Sequence, residues 1–171
     1  MFTGKHVRLR PFEWEDAEKY RDWINDSQIV SLVDRVRPVT AEEHRRWYET
    51  MVSDPDCVIF AIEVRPKKRF VGCVWLYGID HRHRHAEVRI VIGDKQYWGK
   101  GIGKEAISSL VQFAFEKLDL HKVYAYVLAP NPRAAEAFKK AGFVREGLLK
   151  GERYVDGGFV DVLRFGLVRK N

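Results

Sequence analysis

At 171 residues the chain has the length of one domain, and it can bury a sizeable core without disulfide or metal staples. Hydrophobic residues at 46%, charged at 32% and aromatic at 13% describe a globular chain and exclude disordered, collagenous and coiled-coil compositions. Thirty basic against 24 acidic residues leave +6 with the histidines neutral, which suits an anionic partner as well as a merely solvated surface. The best apolar run, Phe70 to Ile79, contains Gly72 and Gly78 and is half the ~20 residues that span a bilayer. No apolar stretch follows the charges at the N-terminus, so no secretory signal is read there. Cys57 and Cys73 lie far apart, outside any CxxC, and read as buried free thiols of a reducing compartment. A soluble, cytoplasmic protein of one domain, residues 1–171, is expected.

Taken in chain order, His6 to Arg10 alternates and is stopped by Pro11, which predicts a first strand. Ala17, Tyr20, Trp23 and Ile24 recur at helical spacing and predict a helix from Trp14 to Asn25. Thr40 followed by Glu43 is a capping box for a helix running to Ser53, with Trp47, Tyr48 and Met51 on its apolar face. Val58 to Val64 and Phe70 to Ile79 flank a Pro-Lys-Lys-Arg turn and read as a hairpin. Ala86 to Ile92 is a further strand. Glycines at 99, 101 and 103 then lead into a helix whose Ile102, Ala106, Leu110, Phe113 and Ala114 face inward. Val123 to Val127 has the content of a buried parallel strand, so Tyr124 and Tyr126 are expected in the core. Asn131-Pro132 opens a helix that ends at Gly142. Phe143 to Glu152 and Phe159 to Val168 close the chain as a hairpin around Asp156-Gly157-Gly158. The order is β-α-α-β-β-β-α-β-α-β-β. Strands outnumber crossover helices, so the class is α/β (α+β) with a mixed sheet and one parallel unit near its middle.

The most informative stretch is the strand from Ala86 followed by Trp98-Gly-Lys-Gly-Ile-Gly-Lys104 and a helix. Glycines let a ligand approach the backbone, the helix start offers unpaired N–H donors, and Lys100 and Lys104 add charge. The combination suits a phosphate or pyrophosphate; a tight turn that needs Gly for its dihedrals is the plainer alternative. A dinucleotide loop would need a third Gly where Lys104 stands, and a Walker loop would need Gly at 98 and Ser or Thr at 105, where Trp and Glu stand. Neither nucleotide loop is present.

These residues carry a resemblance. Trp98 to Gly103 resembles the acetyl-coenzyme A loop, Q/R-x-x-G-x-G/A, of GNAT-type N-acetyltransferases. Asn131 to Phe143 resembles that family's second signature, an Asn opening a helix that ends in Gly-Phe. Val7-Arg-Leu-Arg-Pro11 with Asp16, and the closing hairpin with Glu146-Gly147, Asp156-Gly157 and Asp161-Val162, are similar to the branch that holds spermidine and ribosomal-protein N-terminal acetyltransferases. Four matches in order span nearly the whole chain. The resemblance implies the acyl-CoA N-acyltransferase fold, a splayed mixed sheet flanked by helices with acetyl-CoA, as co-substrate, between two parallel strands. Trp98 departs from the family's Gln or Arg, and Phe138 stands where many relatives have a Tyr thought to protonate the departing thiolate.

By that resemblance the cofactor-binding residues are Ile90, Val91, Ile92, Trp98, Gly99, Lys100, Gly101, Ile102, Gly103, Lys104, Asn131 and Phe138. A main-chain N–H of Ile90-Val91-Ile92 is placed to stabilise the oxyanion of a tetrahedral intermediate, and Gly93 suggests a bulge that splays the sheet, or a plain strand end. Asn131 is placed to bond the pantetheine amide, to cap its helix, or both. An alkyl amine of pKa ~10.4 must lose a proton before attack, and Glu87 is the candidate catalytic base or amine anchor. A surface ion pair of Glu87 with Arg84 or Arg89 is the alternative. Tyr124 and Tyr126 are candidate replacement donors.

His81-Arg-His-Arg-His85 alternates, but its interleaved arginines repel a cation and no Cys or carboxylate pair completes a shell, so no metal is expected. A basic turn near the acceptor site, or an edge guarded against pairing, fits it better. Trp14, Trp23, Trp47 and Trp75 are expected mainly in the core. The expected reaction is acetyl transfer from acetyl-CoA to a primary amine by direct attack on the thioester. The acceptor is a small polyamine-like molecule or, alternatively, a protein N-terminus or amino sugar, its pocket built from Trp14 to Asp56. A non-catalytic coenzyme A-binding or RNA-binding module is disfavoured, since no aromatic-basic RNA motif is present. No membrane partner is expected; a homo-oligomer, specifically a dimer, is.

Overall fold

The computed structural model describes residues 3–32 and 38–171. Strands and helices follow as β1 (Val7–Pro11), α1 (Trp14–Ile24), α2 (Ser27–Val30), α3 (Ala41–Ser53), β2 (Val58–Val64), β3 (Arg69–Asp80) and β4 (His85–Ile92). A 3-10 turn at Lys95–Tyr97 leads to α4 (Ile102–Glu116), β5 (Lys122–Leu128), α5 (Pro132–Lys140), β6 (Val144–Val155) and β7 (Gly158–Val168). The expected order holds, with α2 and the 3-10 turn added. Both additions are too short for a hydrophobic period, and each starts on an aspartate side chain: Asp26 accepts from Gln28 N and Asp94 from Gln96 N.

One sheet of seven strands runs β1-β2-β3-β4-β5-β7-β6. Every neighbouring pair is antiparallel except β4 and β5, the single parallel pair expected near the middle. Alternation divides each inner strand between two cores. Val74 and Leu76 of β3, and Ala86 and Val88 of β4, pack with Ile102, Ala106 and Leu110 of α4 and Phe138 of α5. Cys73, Trp75 and Val91 point the other way, toward Ala17 and Tyr20 of α1 and Met51 of α3. Both faces of β3 are covered, which is why six consecutive residues from Val71 to Leu76 are buried.

Local chemistry sets the element ends. The capping box at Thr40 and Glu43 forms as expected, with Glu43 N donating to Thr40 Oγ1 at 3.2 Å and Thr40 N to Glu43 Oε2 at 3.0 Å. For α1 the first turn is closed by Asp16, which accepts from Glu13 N at 2.9 Å. Asp16 also takes both arms of Arg10 at 2.6 and 2.8 Å, while Arg10 Nε reaches buried Glu63 at 3.0 Å, so one guanidinium ties β1, α1 and β2 together. Gly142 adopts φ 98° just past α5, and Phe143 N closes back on Phe138 O at 3.0 Å, which stops the helix. Asp156 and Gly157, both with positive φ, make the two-residue turn between β6 and β7.

Two expectations about placement are corrected. His81–His85 is no edge guard: it turns between β3 and β4, both inner strands, and the sheet's edges are β1 and β6. Tyr126 is 43% exposed and Tyr124 half-buried, because only alternate residues of β5, Val123, Ala125 and Val127, enter a core. No residue of β5 belongs to the core under α1 and α3, so the other face of that strand is left open.

Glu105, in the first turn of α4, accepts from the main-chain N–H groups of His6 at 2.6 Å and Val7 at 2.9 Å and so pins the entry of β1. Partial burial pushes its carboxyl up, but these bonds outweigh burial and leave it below its ordinary value. Glu105→Ala is expected to lower the unfolding free energy by about 2 kcal/mol at neutral pH. The folded-state pKa lies below the unfolded one, so this stability is complete above the unfolded pKa and is lost as pH falls through the folded one. Denaturant titrations of wild type and variant should therefore differ at pH 7 and converge in acid.

Candidate active site

β4 and β5 pair at only three positions, His85 with Lys122, Ala86 with Val123 and Glu87 with Tyr124. Beyond Glu87 they part. β4 stays on β3 as far as the Gly72–Ile92 pair, and β5 stays on β7 as far as Leu128–Val162, so each side of the wedge is braced from behind. Alternate residues of Val88–Ile92 thus turn main-chain N–H and C=O groups toward a strand that is no longer there. Gly93 does sit at a bulge, since its N–H and that of Asp94 both donate to Val71 O, at 2.9 and 3.2 Å. The divergence starts five residues earlier, however, and the expectation that Gly93 splays the sheet is corrected. Glycine is needed there for room: a β-carbon would run into the indole of Trp23.

A groove of about 230 Å³ opens on the α4–α5 side of the wedge. Ile90, Val91 and Ile92 form its floor, the loop residues Trp98, Gly99 and Gly101 its rim, and Ile102, Gly103, Lys104 and Asn131 its flanks. Gly99 and Gly101 have φ of 70° and 78°, the left-handed region that admits glycine without strain. Glu105 is the first residue of α4 whose N–H closes on a carbonyl, Gly101 O at 3.1 Å. The N–H groups of Ile102, Gly103 and Lys104 have no intrahelical acceptor. Two expected residues are elsewhere. Lys100 lies outside the lining, its ammonium over the Tyr97 ring at 5.7 Å, because the left-handed turn carries its side chain outward. Phe138 is 2% exposed, packed on Phe143 and Phe165, and touches only the neighbouring cleft.

Sequence reasoning missed the groove's other cations, Arg133 and Lys140. They stand seven residues apart on α5, two turns along one helical face, and that spacing was the available signal. The donors of α4, with Lys104, Arg133 and Lys140 against Glu136, the single carboxylate of the groove among the described residues, fit a phosphorylated anion.

A second cleft of about 380 Å³ opens on the other side and shares Leu32, Ile90, Val91, Asn131 and Ala134 with the groove, so the two meet in the wedge. Asn131 makes the expected helix cap, its Oδ1 accepting from Ala134 N at 3.2 Å, and it borders both cavities. Tyr20, Trp47 and Trp75 line the cleft, so two of the expected core tryptophans also face it. Of the segment from Trp14 to Asp56, only Tyr20, Leu32 and Trp47 contribute among the described residues; β4, β5 and β6 supply much of the rest.

Glu87 lies in this cleft, its side chain 12% exposed. Arg89, itself over the Tyr77 ring at 3.8 Å, donates from Nε to Glu87 Oε2 at 2.5 Å and leaves Oε1 open. The ion pair expected with Arg84 or Arg89 is therefore made with Arg89, while Arg84 reaches Asp119 at 2.9 Å. Tyr126 borders the cleft with its hydroxyl accepting from Arg164 at 2.5 Å. Burial and then the charge of Glu87 push the Tyr124 phenol up, so it stays protonated at neutral pH. The indole Nε1 of Trp75 is buried and has no hydrogen-bond partner among the described residues. His81–His85 lines neither cavity, and among the described residues no three His, Cys, Asp or Glu side chains converge to hold a metal. No helix among them is long and apolar enough to cross a membrane.

A wedge between two parallel strands, with a cation-lined groove on one flank and a cleft holding a carboxylate on the other, is an arrangement that fits an acyltransferase. A family model described as an acetyltransferase (GNAT) domain matches residues 6–144. The spermidine N(1)-acetyltransferase of Vibrio cholerae is 30% identical over 166 residues, covering 97% of this chain and 95% of the relative. A putative ribosomal N-acetyltransferase of Bacillus subtilis is 26% identical over 184 residues, 99% of this chain and 97% of the relative. Among solved structures, spermidine N-acetyltransferase from Vibrio cholerae in complex with CoA and spermine has a TM-score of 0.89 at 29% identity, covering 96% of both chains. A dodecameric structure from the same organism has a TM-score of 0.80 at 28% identity, over 96% of this chain and 95% of the other. The chain belongs to the GNAT acetyltransferase family, with its splayed mixed sheet, and it is an acetyl-CoA-dependent N-acetyltransferase.

Gly101 has open space around it, so a side chain there enters the groove mouth. Acetyl-CoA at ~100 times its Kd should stabilise the wild type by about 2.7 kcal/mol in thermal melts. Gly101→Glu is expected to lose that shift through left-handed strain and like-charge repulsion.

Proposed function

We propose that the chain transfers the acetyl group of acetyl-CoA to a primary amine of a small polyamine-class acceptor, with Glu87 as the base. Acetyl-CoA supplies an acetyl group activated as a thioester. The observation that carries the reading is the meeting of groove and cleft at Ile90, Val91 and Asn131, beside unpaired main-chain groups of β4. Those groups can pair with an extended ligand as a missing strand would, and an N–H among them can donate to the acetyl oxygen as charge develops on it. Glu87, its Oε2 fixed by Arg89, presents Oε1 to an incoming ammonium and takes its proton directly or through a water. The cofactor residues of this reading are those that line the groove; Lys100, turned toward the Tyr97 ring, and Phe138, packed beneath the wedge, lie outside it.

Glu87 is the single carboxylate among the described cleft residues, so the cleft takes one ammonium end and the other charges of a polyamine extend outward. The curated spermidine acetyltransferase relatives and the spermine-bound neighbour support this acceptor class. A second reading rests on Arg89 and on the buried Trp75 Nε1, donors that suit an oxygen beside the amine, as at a peptide N-terminus or in an amino sugar. All 171 residues act as one domain in this proposal. Two buried free thiols support a cytoplasmic location, and the dodecameric neighbour supports a homo-oligomer, whose size relative to the expected dimer light scattering measures.

A thiol-release screen with acetyl-CoA across polyamines, peptides and amino sugars tests the acceptor. Polyamines are expected to turn over fastest, and preference for peptides or sugars would favour the second reading. The protein's own thiols are expected to stay silent in such an assay, since both are buried and burial pushes Cys57 up to about 11 and Cys73 well above its ordinary value. Glu87→Gln is expected to lower kcat about 100-fold or more at neutral pH, to recover partly as pH rises, and to leave the acetyl-CoA melting shift intact. Unchanged kinetics at every pH would return Glu87 to a plain ion pair.

A further inference from the structure

The loop position that family members fill with Gln or Arg is Trp98 here, and the polar group lost there has a counterpart across the groove. The guanidinium of Arg133, second residue of α5, lies 3.8 Å from the centre of the Trp98 ring. That ring is fixed in turn, because its Nε1 donates to Ile92 O at 2.7 Å, tying the loop to the end of β4. Both residues border the groove. Arg10, Arg69, Arg84 and Arg89 each face a carboxylate. Arg133 faces none among the described residues; an aromatic face holds it, and its five N–H donors stay available at the rim.

We propose that Arg133 is a phosphate contact for coenzyme A and that Trp98 is its positioning residue, the pair together restoring the hydrogen-bond donor that the loop lacks at position 98. The inference rests on the reading that coenzyme A occupies this groove. Guanidinium is suited to the task because its planar fork meets two phosphate oxygens at once and stacks flat on an indole, where an ammonium would do neither. The diphosphate and the 3′-phosphate share this chemistry, and the probes below tell them apart.

Calorimetric titration of the full chain with coenzyme A, dephospho-coenzyme A and pantetheine tests the pair. Arg133→Ala should weaken coenzyme A binding roughly tenfold, the loss of one charge-assisted contact, and leave pantetheine unchanged. An equal loss for dephospho-coenzyme A assigns the diphosphate; a loss confined to coenzyme A assigns the 3′-phosphate. Trp98→Leu should weaken coenzyme A binding by a smaller factor, Trp98→Phe should restore most of it, and Trp98→Leu added to Arg133→Ala should cost nothing more. In turnover the losses should fall on the KM for acetyl-CoA and spare kcat. Arg133→Ala that binds coenzyme A as wild type does, or that loses pantetheine equally, overturns the proposal, as do additive effects of the two substitutions. Should Trp98→Leu fail to fold, Arg133→Ala and Arg133→Lys, the latter expected between wild type and Ala, decide alone. Wild type that binds no coenzyme A would overturn the underlying reading of the groove instead, a result distinct from any of these.

Discussion

The parting of β4 from β5 after the Glu87–Tyr124 pair is the constraint on which the site depends. A parallel pair that separates leaves main-chain donors and acceptors facing each other across a gap, and such groups are costly when buried without partners. The gap survives because neither strand is free to close it. β3 holds β4 through seven paired positions and β7 holds β5 through seven, so each strand's other side is already committed. Only an extended ligand entering the wedge, or water, can complete those hydrogen bonds. The fold thus stores its specificity for an extended cofactor arm in the backbone, and the side chains around it divide the remaining tasks.

That division is electrostatic as well as geometric. Groove and cleft lie within a few residues of each other on β4, yet their charged linings differ in purpose. Lys104, Arg133 and Lys140 gather on the α4–α5 side, with helix N–H groups aimed the same way. Glu87 stands on the other side, two residues from Arg89, in a wall of tryptophan and tyrosine. Some of the surplus of basic residues is thus concentrated where a polyanion would lie. On the cleft side Arg89 fixes the direction of the Glu87 carboxylate through Oε2 and leaves Oε1 open.

Much of this was legible in the sequence because it rests on periodicity and punctuation. The capping box at Thr40, the alternation in β1, the Asn-Pro start and glycine stop of α5, and the glycine loop all fell where their local chemistry put them. The misses have a common cause: each depends on what lies across a gap in space. Val123 to Val127 reads as fully buried, yet one face of β5 looks into open space because α1 and α3 stop short of it. Lys100 reads as part of the anion site until the φ of its neighbours turns it outward. Arg133 and Lys140 read as ordinary solvated charges on an amphipathic helix until α5 is laid beside the loop. Gly93 was read as a splaying bulge or a plain strand end, whereas the pairing register shows that β4 has left β5 well before it is reached.

Phe138 shows how far such burial limits the chemistry. It is sealed against Phe143 and Phe165, and what it offers the cleft is the edge of an apolar ring. Of the two phenols on β5, Tyr126 borders the cleft but its oxygen is already engaged by Arg164, and Tyr124 stays outside the lining. A side-chain acid at the wedge is therefore absent from position 138 and not directly replaced by the nearest hydroxyls. Coenzyme A leaves as a thiolate whose parent thiol has a pKa near 8.5, close enough to neutrality that departure makes modest demands on an acid. The harder proton is the one on the incoming ammonium, roughly two units further up the scale. With Glu87 as the proposed base, a carboxylate in the cleft and no hydroxyl at position 138 match that asymmetry. On the proposed reading, the acid–base group stands where deprotonation is difficult, and the easier end is left to solvent.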